Sequence, residues 1–381
     1  MRIAIRSAAL AAAAQLVLAS TLRPQSPLSC PIDWALREAT IVTRVECRTI
    51  QVPQDWSGFR EDLAPVSLQI VRLESSRDAT PVLFLAGGPG ESAIDVVQHA
   101  LLASPVGQAI VRTRPLIVFD RRGASSINGR ANPDLGSLGY ALSADGEEPH
   151  ASLRDSANRA AAALRRRNVH PRFFTTLASI EDIRAVVREF GYRRVILYAT
   201  SYGTKEALQF MRRHPEMVEA AILDGVVAPQ HQVSLSLALG DATAGEASAG
   251  HAGRSGGRTL TAHTIVRDAV LCGDGKAGMP QSGGRAICDA LRVGFDGPDA
   301  IAPVSSAIPT LLLAGALDAL TPPTMAAEAA RTLSRSHTVV FPAAGHLLTL
   351  NATVSTCVAE IVEGFMAAPT RTPATTCVPR Q

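Results

Sequence analysis

A serine, an aspartate and a histidine stand in the order, and at the kind of place, that nucleophilic catalysis needs. The serine lies in "VILYATSYGTKEAL", Val195 to Leu208, where an apolar run ends at Ser201 and a helical pattern begins. A strand that turns tightly into a helix exposes the serine Oγ at the helix N-terminus, and small residues two before and two after it make the turn possible. Here those residues are Ala199 and Gly203. Alanine adds one methyl at the looser place and the tighter one keeps glycine, so the geometry survives. The bland reading is Ser201 as a helix N-cap. A serine hydroxyl is a poor nucleophile until a base takes its proton, and the base needs an orienting carboxylate. "LLLAGALDALTPP" puts Asp318 just past an apolar strand, and "VVFPAAGHLL" puts His346 just past the next. Asp318 could instead cap the helix after it. The other histidines fall mostly in helices or polar loops, and His337 stands at the wrong end of its strand.

Acyl transfer also needs N–H groups aimed at the oxygen that becomes negative. "FLAGGPGES" follows the strand at Phe84-Leu85, and its glycines allow close backbone approach. The N–H groups of Gly88 and of Tyr202, the residue after the serine, are the expected oxyanion hole. A phosphate-binding turn is the competing reading, but "GGPG" lacks the Lys-Ser/Thr of a P-loop and the spacing of a dinucleotide fingerprint.

Those residues need a sheet to hold them. "TIVTRVECRTIQVPQDW" and "APVSLQIVRLES" predict an antiparallel opening pair. Apolar strands and amphipathic helices then alternate: "PVLFLAGG", "DVVQHALLA", "PLIVFDRRG", "SIEDIRAVVREFGY", "RRVILYATS", "YGTKEALQFMRRHPE", "VEAAILDGV", "IPTLLLAGALD", "PPTMAAEAARTLS", "HTVVFPAAGH" and "ATVSTCVAEIVEGF". Nearly continuous apolar strands between helices mean an α/β fold, a mostly parallel sheet covered on both faces. Ser201, Asp318 and His346 then share the carboxyl edge, where open α/β sheets place their sites. The core is expected over residues 28–227 and 304–381. A Gly-, Ala- and Ser-rich insertion over 228–303 reads as a short cap on that edge, with a disordered loop as the alternative for its first half. A second polar insert runs from Asn128 to His150.

Composition narrows the setting. The chain has 381 residues, 46% of them hydrophobic, and a formal charge of +3. Basic residues are almost all arginine, Lys205 and Lys276 being the only lysines, and no cluster forms the contiguous basic face that nucleic acid requires. Arg2 and Arg6 precede the apolar run Ser7 to Leu18 and the small residues Ala19 and Ser20, which reads as a signal peptide over residues 1–19. Export to the periplasm or beyond, without stable membrane insertion, is the expectation. Six cysteines fall as the local pairs Cys30/Cys47, Cys272/Cys288 and Cys357/Cys377; six allow 15 connectivities, of which the local one is simplest. With no C-x-x-C pair, zinc and thioredoxin-like readings have little support; no metal or organic cofactor is implied. Oligomeric state is left open.

Together "GGPGES", "FDRRG", the run from "SIEDIRAVV" to "AAILDGV", "IPTLLLAGALDALTPP" and "AAGH" resemble the prolyl aminopeptidase and tripeptidyl aminopeptidase family of α/β-hydrolases. The resemblance runs from about Cys30 to Cys377 and maps the family's catalytic residues onto Ser201, Asp318 and His346. It implies a serine peptidase that releases residues or short peptides from a free N-terminus, and a C-terminal tail flanked by Cys357 and Cys377. The chain departs from the family pattern at Ala86, where histidine is frequent, at Arg121, where glutamine is usual, at Ala199, and in its short cap. Relatives hold the substrate amine with acidic cap residues. Here Glu246, Asp268, Asp274 and Asp289 are available in the cap, and Glu91 stands beside the oxyanion turn. A carboxylesterase or lactonase acting on small esters is the alternative.

Overall fold

The opening β-rich runs form an antiparallel pair. Strand β1 (Arg44–Val52) lies along β2 (Val66–Glu74), with Arg44 opposite Glu74 and Val52 opposite Val66. Alternation in β2 sends Val66, Leu68 and Ile70 to one face of the sheet and Val71 and Leu73 to the other. The computed structural model describes residues 30, 42, 44–74, 79–124, 153–231, 262–275 and 284–379. The signal segment, the polar insert from Asn128 and the Gly-rich run of the insertion lie outside the described residues.

From β3 (Val82–Leu85) onward strands and helices alternate: α1 (Ala93–Val96), which continues through a wider turn to Leu101, α2 (Pro105–Thr113), β4 (Leu116–Phe119), α3 (Leu153–Arg166), α4 (Thr176–Glu189), β5 (Val195–Thr200), α5 (Tyr202–Arg213) and β6 (Val218–Asp224). Two helices of the insertion follow, α6 (Ala262–Asp274) and α7 (Gly284–Leu291). The chain closes with β7 (Thr310–Gly315), α8 (Pro323–Ala330), β8 (Ser336–Phe341) and α9 (Ser355–Ala367). The sheet order is β1-β2-β4-β3-β5-β6-β7-β8. Both pairings of β2 are antiparallel and the rest are parallel.

Strands β3, β4, β5 and β7 are buried at every position, which is why they read as unbroken apolar runs. Leu83, Leu85, Ile117 and Leu197 face α3 to α8; Val82, Phe84, Val118 and Tyr198 face α1, α2 and α9. Helix α3 was not among the expected elements. It buries Ala157, Ala160, Ala161 and Leu164, a helical spacing, and α7 packs on it through Ile287, Ala290 and Leu291. The described part of the insertion therefore joins the core on that face. Among the described residues, no single helix is long and apolar enough to cross a membrane.

The three cysteine pairs are bonded locally: Cys30–Cys47, Cys272–Cys288 and Cys357–Cys377, at separations of 17, 16 and 20 residues. Loops of that size stabilise by ~3 kcal/mol each in the chain-entropy model. Disulfides fit an oxidising compartment. Thiol titration of the denatured, unreduced protein is expected to find no free thiol. Six free thiols would contradict the pairing.

Candidate active site

Strand β5 ends at Thr200 and the chain turns at Ser201 into α5. Ser201 sits at φ 50°, ψ −124°, outside the ordinary regions for a side-chain-bearing residue. Such strain persists only where its surroundings enforce it. The Ser201 N–H donates to the Asp224 carbonyl at 2.8 Å. Gly203 lies so close to β3 that a Cβ there would meet the Leu85 and Ala86 carbonyl oxygens at 2.3 and 2.5 Å. Ala199 is buried without such conflict. The Ser201 hydroxyl makes no capping bond to the helix; it lies 3.1 Å from His346 Nε2.

Asp318 follows β7 and His346 follows β8, so two adjacent strands deliver them to the same edge. His346 Nδ1–H donates to Asp318 Oδ2 at 2.8 Å, which leaves Nε2 as the acceptor facing the serine. Asp318 also accepts the Leu320 and Thr321 N–H groups, both at 2.9 Å, and the Thr321 hydroxyl at 2.5 Å. It therefore caps the following turn and orients the imidazole at once. Burial alone would push its carboxyl up, but the hydrogen bonds from His346 and Thr321 outweigh that and hold it at about 2.

Asp224, the last residue of β6, was not singled out in the sequence. Fully buried, it accepts the N–H groups of Leu348 at 3.1 Å and Thr349 at 2.7 Å, and the Thr349 hydroxyl. The loop that carries His346 is thus pinned to the strand beside the serine. Only the position of this aspartate, at a strand's carboxyl end, could have signalled the role.

The glycine turn after β3 runs over Ser201. A Cβ on Gly87 would sit 3.2 Å from the Ser201 Cβ, and Gly88 has φ 101°. Arg121, buried, donates to the Gly87 carbonyl at 3.0 Å and to the Ala86 carbonyl. The same guanidinium pairs with Glu206 of α5 at 2.7 Å. Its neighbour Arg122 grips Asp182 of α4 through two bonds, 2.7 and 2.6 Å, and Asp120 accepts the Ser92 hydroxyl and the Ile94 N–H. "FDRRG" thereby fastens the turn, α1, α4 and α5 to one another.

Residues 80–353 match the alpha/beta hydrolase fold family. The chain belongs to that family. Several solved structures show similarity to this chain. Serine hydrolase CCSP0084 from Cycloclasticus zankles is 14% identical with a TM-score of 0.44, over 85% of this chain and 98% of that one. Haloalkane dehalogenase DbeA from Bradyrhizobium elkani is 17% identical with a TM-score of 0.43, over 85% and 100%. Carboxylesterase CesB from Bacillus subtilis is 17% identical with a TM-score of 0.42, over 82% and 90%. No curated protein sequence matches.

The acidic residues considered for a substrate amine separate cleanly in this α/β hydrolase. Asp274 points inward: it pairs with the buried Lys205 at 2.9 Å and accepts the hydroxyls of Tyr202 at 2.8 Å and Thr176 at 2.5 Å. Asp268 is buried and bonded to Arg267. Asp289 is exposed on α7, and Glu246 lies outside the described residues. Glu91 is the one beside Ser201: the Gly87 Cβ position is 3.6 Å from Glu91 Oε2 and 3.8 Å from Ser201 Oγ. Among the described residues of the hydrolase, no group of three or more His, Cys, Asp or Glu side chains could hold a metal ion.

Burial raises the Glu206 carboxyl to about 7, with Asp274 and Asp182 adding to the rise and Arg121 opposing it. A carboxyl whose folded value exceeds its ordinary 4.5 binds more protons in the native than in the unfolded state between those values. Stability contributed by this group therefore falls as pH rises from about 4.5 to about 7. In Glu206→Gln that decline should flatten. Denaturant midpoints measured across the window check it, and parallel curves for the two proteins would refute it.

Proposed function

We propose that this chain is an exported serine hydrolase that cleaves peptides from a free N-terminus through an acyl-enzyme. The carrying observation is the relay Ser201 Oγ, His346 Nε2, His346 Nδ1, Asp318 Oδ2 on a serine whose hydroxyl is withheld from helix capping. Ser201 Oγ attacks the substrate carbonyl carbon and its proton passes to His346 Nε2. Asp318, ionised far below neutral pH, stabilises the imidazolium. Negative charge on the carbonyl oxygen is met by the N–H groups of Gly88 and Tyr202. Collapse breaks the C–N bond while His346 returns its proton to the leaving amine. Water, deprotonated by the same histidine, then releases the acyl group and restores Ser201.

Two further observations support parts of this reading. Glu91 places a carboxylate beside Ser201, suited to a protonated amine. Three disulfides, with the charged and apolar N-terminal run, support export. The resemblance to prolyl and tripeptidyl aminopeptidases points the same way. Carboxylesterase or lactonase action has its own support in the exposed Leu317, Leu320 and Leu350, which flank the loops of Asp318 and His346 and would receive an apolar ester.

The two readings part on one comparison. A charge-assisted contact to a free amine is worth ~1.5–3 kcal/mol, and blocking the amine also leaves the carboxylate unpaired. N-acetylation of a peptidyl arylamide should therefore lower kcat/KM by at least ~10-fold. Equal values for free and blocked substrate would discard the aminopeptidase and favour the esterase.

A further inference from the structure

We infer that Glu91 fixes the length of the released piece at one N-terminal residue with a short side chain, rather than a tripeptide. This rests on the aminopeptidase reading above.

Reach carries the argument. Glu91 Oε2 and Ser201 Oγ lie 3.6 and 3.8 Å from the same point at Gly87, so their separation cannot exceed the sum of those distances. A carbonyl carbon poised for attack is about 3 Å from the serine oxygen. In an aminoacyl group the α-nitrogen is about 2.5 Å beyond that carbon, by standard backbone dimensions. A charge-assisted N–H···O contact adds about 2.8 Å. Laid end to end, these lengths exceed the largest separation the two oxygens can have, so a single aminoacyl group bridges them. A tripeptidyl group would carry its amine two residues further, up to about 7 Å along an extended chain, and overshoot the carboxylate. Among the described residues no arginine or lysine pairs with Glu91, and its Oε2 lies 3.6 Å from the Gly87 Cβ position.

The side-chain limit comes from the adjoining space. Glu91 lines a cavity of about 50 Å³ together with Phe84, Val96, Thr200, Leu347 and Leu350. One water needs roughly 10–15 Å³, so only a few heavy atoms fit. Phe84 and Thr200 belong to buried strands and Leu347 is fixed next to His346, so the walls cannot withdraw easily.

The test uses the full, oxidised protein and its Glu91→Gln variant. Substrates are alanyl, phenylalanyl, trialanyl and N-acetylalanyl arylamides and 4-nitrophenyl acetate, with products followed by mass spectrometry. The alanyl arylamide is expected to exceed the phenylalanyl one by at least ~30-fold in kcat/KM. The trialanyl arylamide should shorten one alanine at a time before arylamine appears. Glu91→Gln should raise KM for the alanyl arylamide, with a loss in kcat/KM at least ~30-fold larger than its loss on the acetate ester. One-step release of intact trialanine, or equal losses on amide and ester, would overturn the inference while leaving the aminopeptidase standing. Equal rates on alanyl and N-acetylalanyl arylamides would overturn both.

Discussion

Replacing Ser201 by alanine should lower kcat by ~10⁴-fold or more, the loss seen when a triad member is removed. The expectation rests on the hydrogen bond of its hydroxyl to His346 Nε2, the one it makes among the described residues. Because that hydroxyl caps nothing, the variant should fold and melt like the parent. A residual rate above water should survive, since the N–H groups of Gly88 and Tyr202 would still polarise a bound carbonyl. Asp318→Asn should cost a similar factor by favouring the wrong imidazole tautomer. Active-site titration, kcat and a melting curve on the same preparation decide it. Near-parental turnover by a correctly folded Ser201→Ala protein would end the triad assignment.

The second large effect concerns the elbow itself. Gly203→Ala puts a methyl 2.3 Å from one carbonyl oxygen and 2.5 Å from another, both backbone atoms of the adjacent strand end. Neither can rotate away, so α5 must move off β3, at a cost of ~3 kcal/mol, the upper end of the usual overpacking range. Ala199→Gly, the substitution that restores the usual pattern, removes one buried methyl from a strand and should cost ~1–2 kcal/mol. The asymmetry is the informative result: one methyl tolerated two residues before the serine, one methyl ruinous two residues after. Chemical denaturation of both variants measures it, and comparable midpoints would show the turn to be looser than its distances indicate.

Much of this was legible in the residues. Strands buried on both faces write themselves as apolar runs, and the loops that follow β5, β7 and β8 carry Ser201, Asp318 and His346 in the order the chemistry needs. What escaped was what depends on distant partners. Helix α3 is rich in alanine and arginine and borders a polar insert; its buried stripe becomes recognisable only once α7 lies on it. Asp224 reads as the end of a strand, because the N–H groups it accepts belong to residues 348 and 349. Arg121 reads as a departure from a motif until its guanidinium is seen spanning the Gly87 carbonyl and Glu206. In the sequence Asp274 is one of four available acids of the cap. The buried Lys205 that claims it is nearly seventy positions earlier, and local spacing holds no trace of that pairing.

The bond between Cys272 and Cys288 has a practical side. It clips together α6 and α7, and two residues past the first cysteine stands Asp274, counter-ion to a lysine buried in the helix that starts at the serine. A recombinant chain made in a reducing cytosol would lack the clip and with it ~3 kcal/mol of fold stability, since the unfolded chain would no longer be constrained there. If that helix lifts, the buried Lys205 loses its Asp274 partner in the helix that carries Ser201 at its start. Cytosolic preparations should consequently contain folded but catalytically poor molecules, rescued by oxidation, and the choice of expression compartment becomes part of the enzymology.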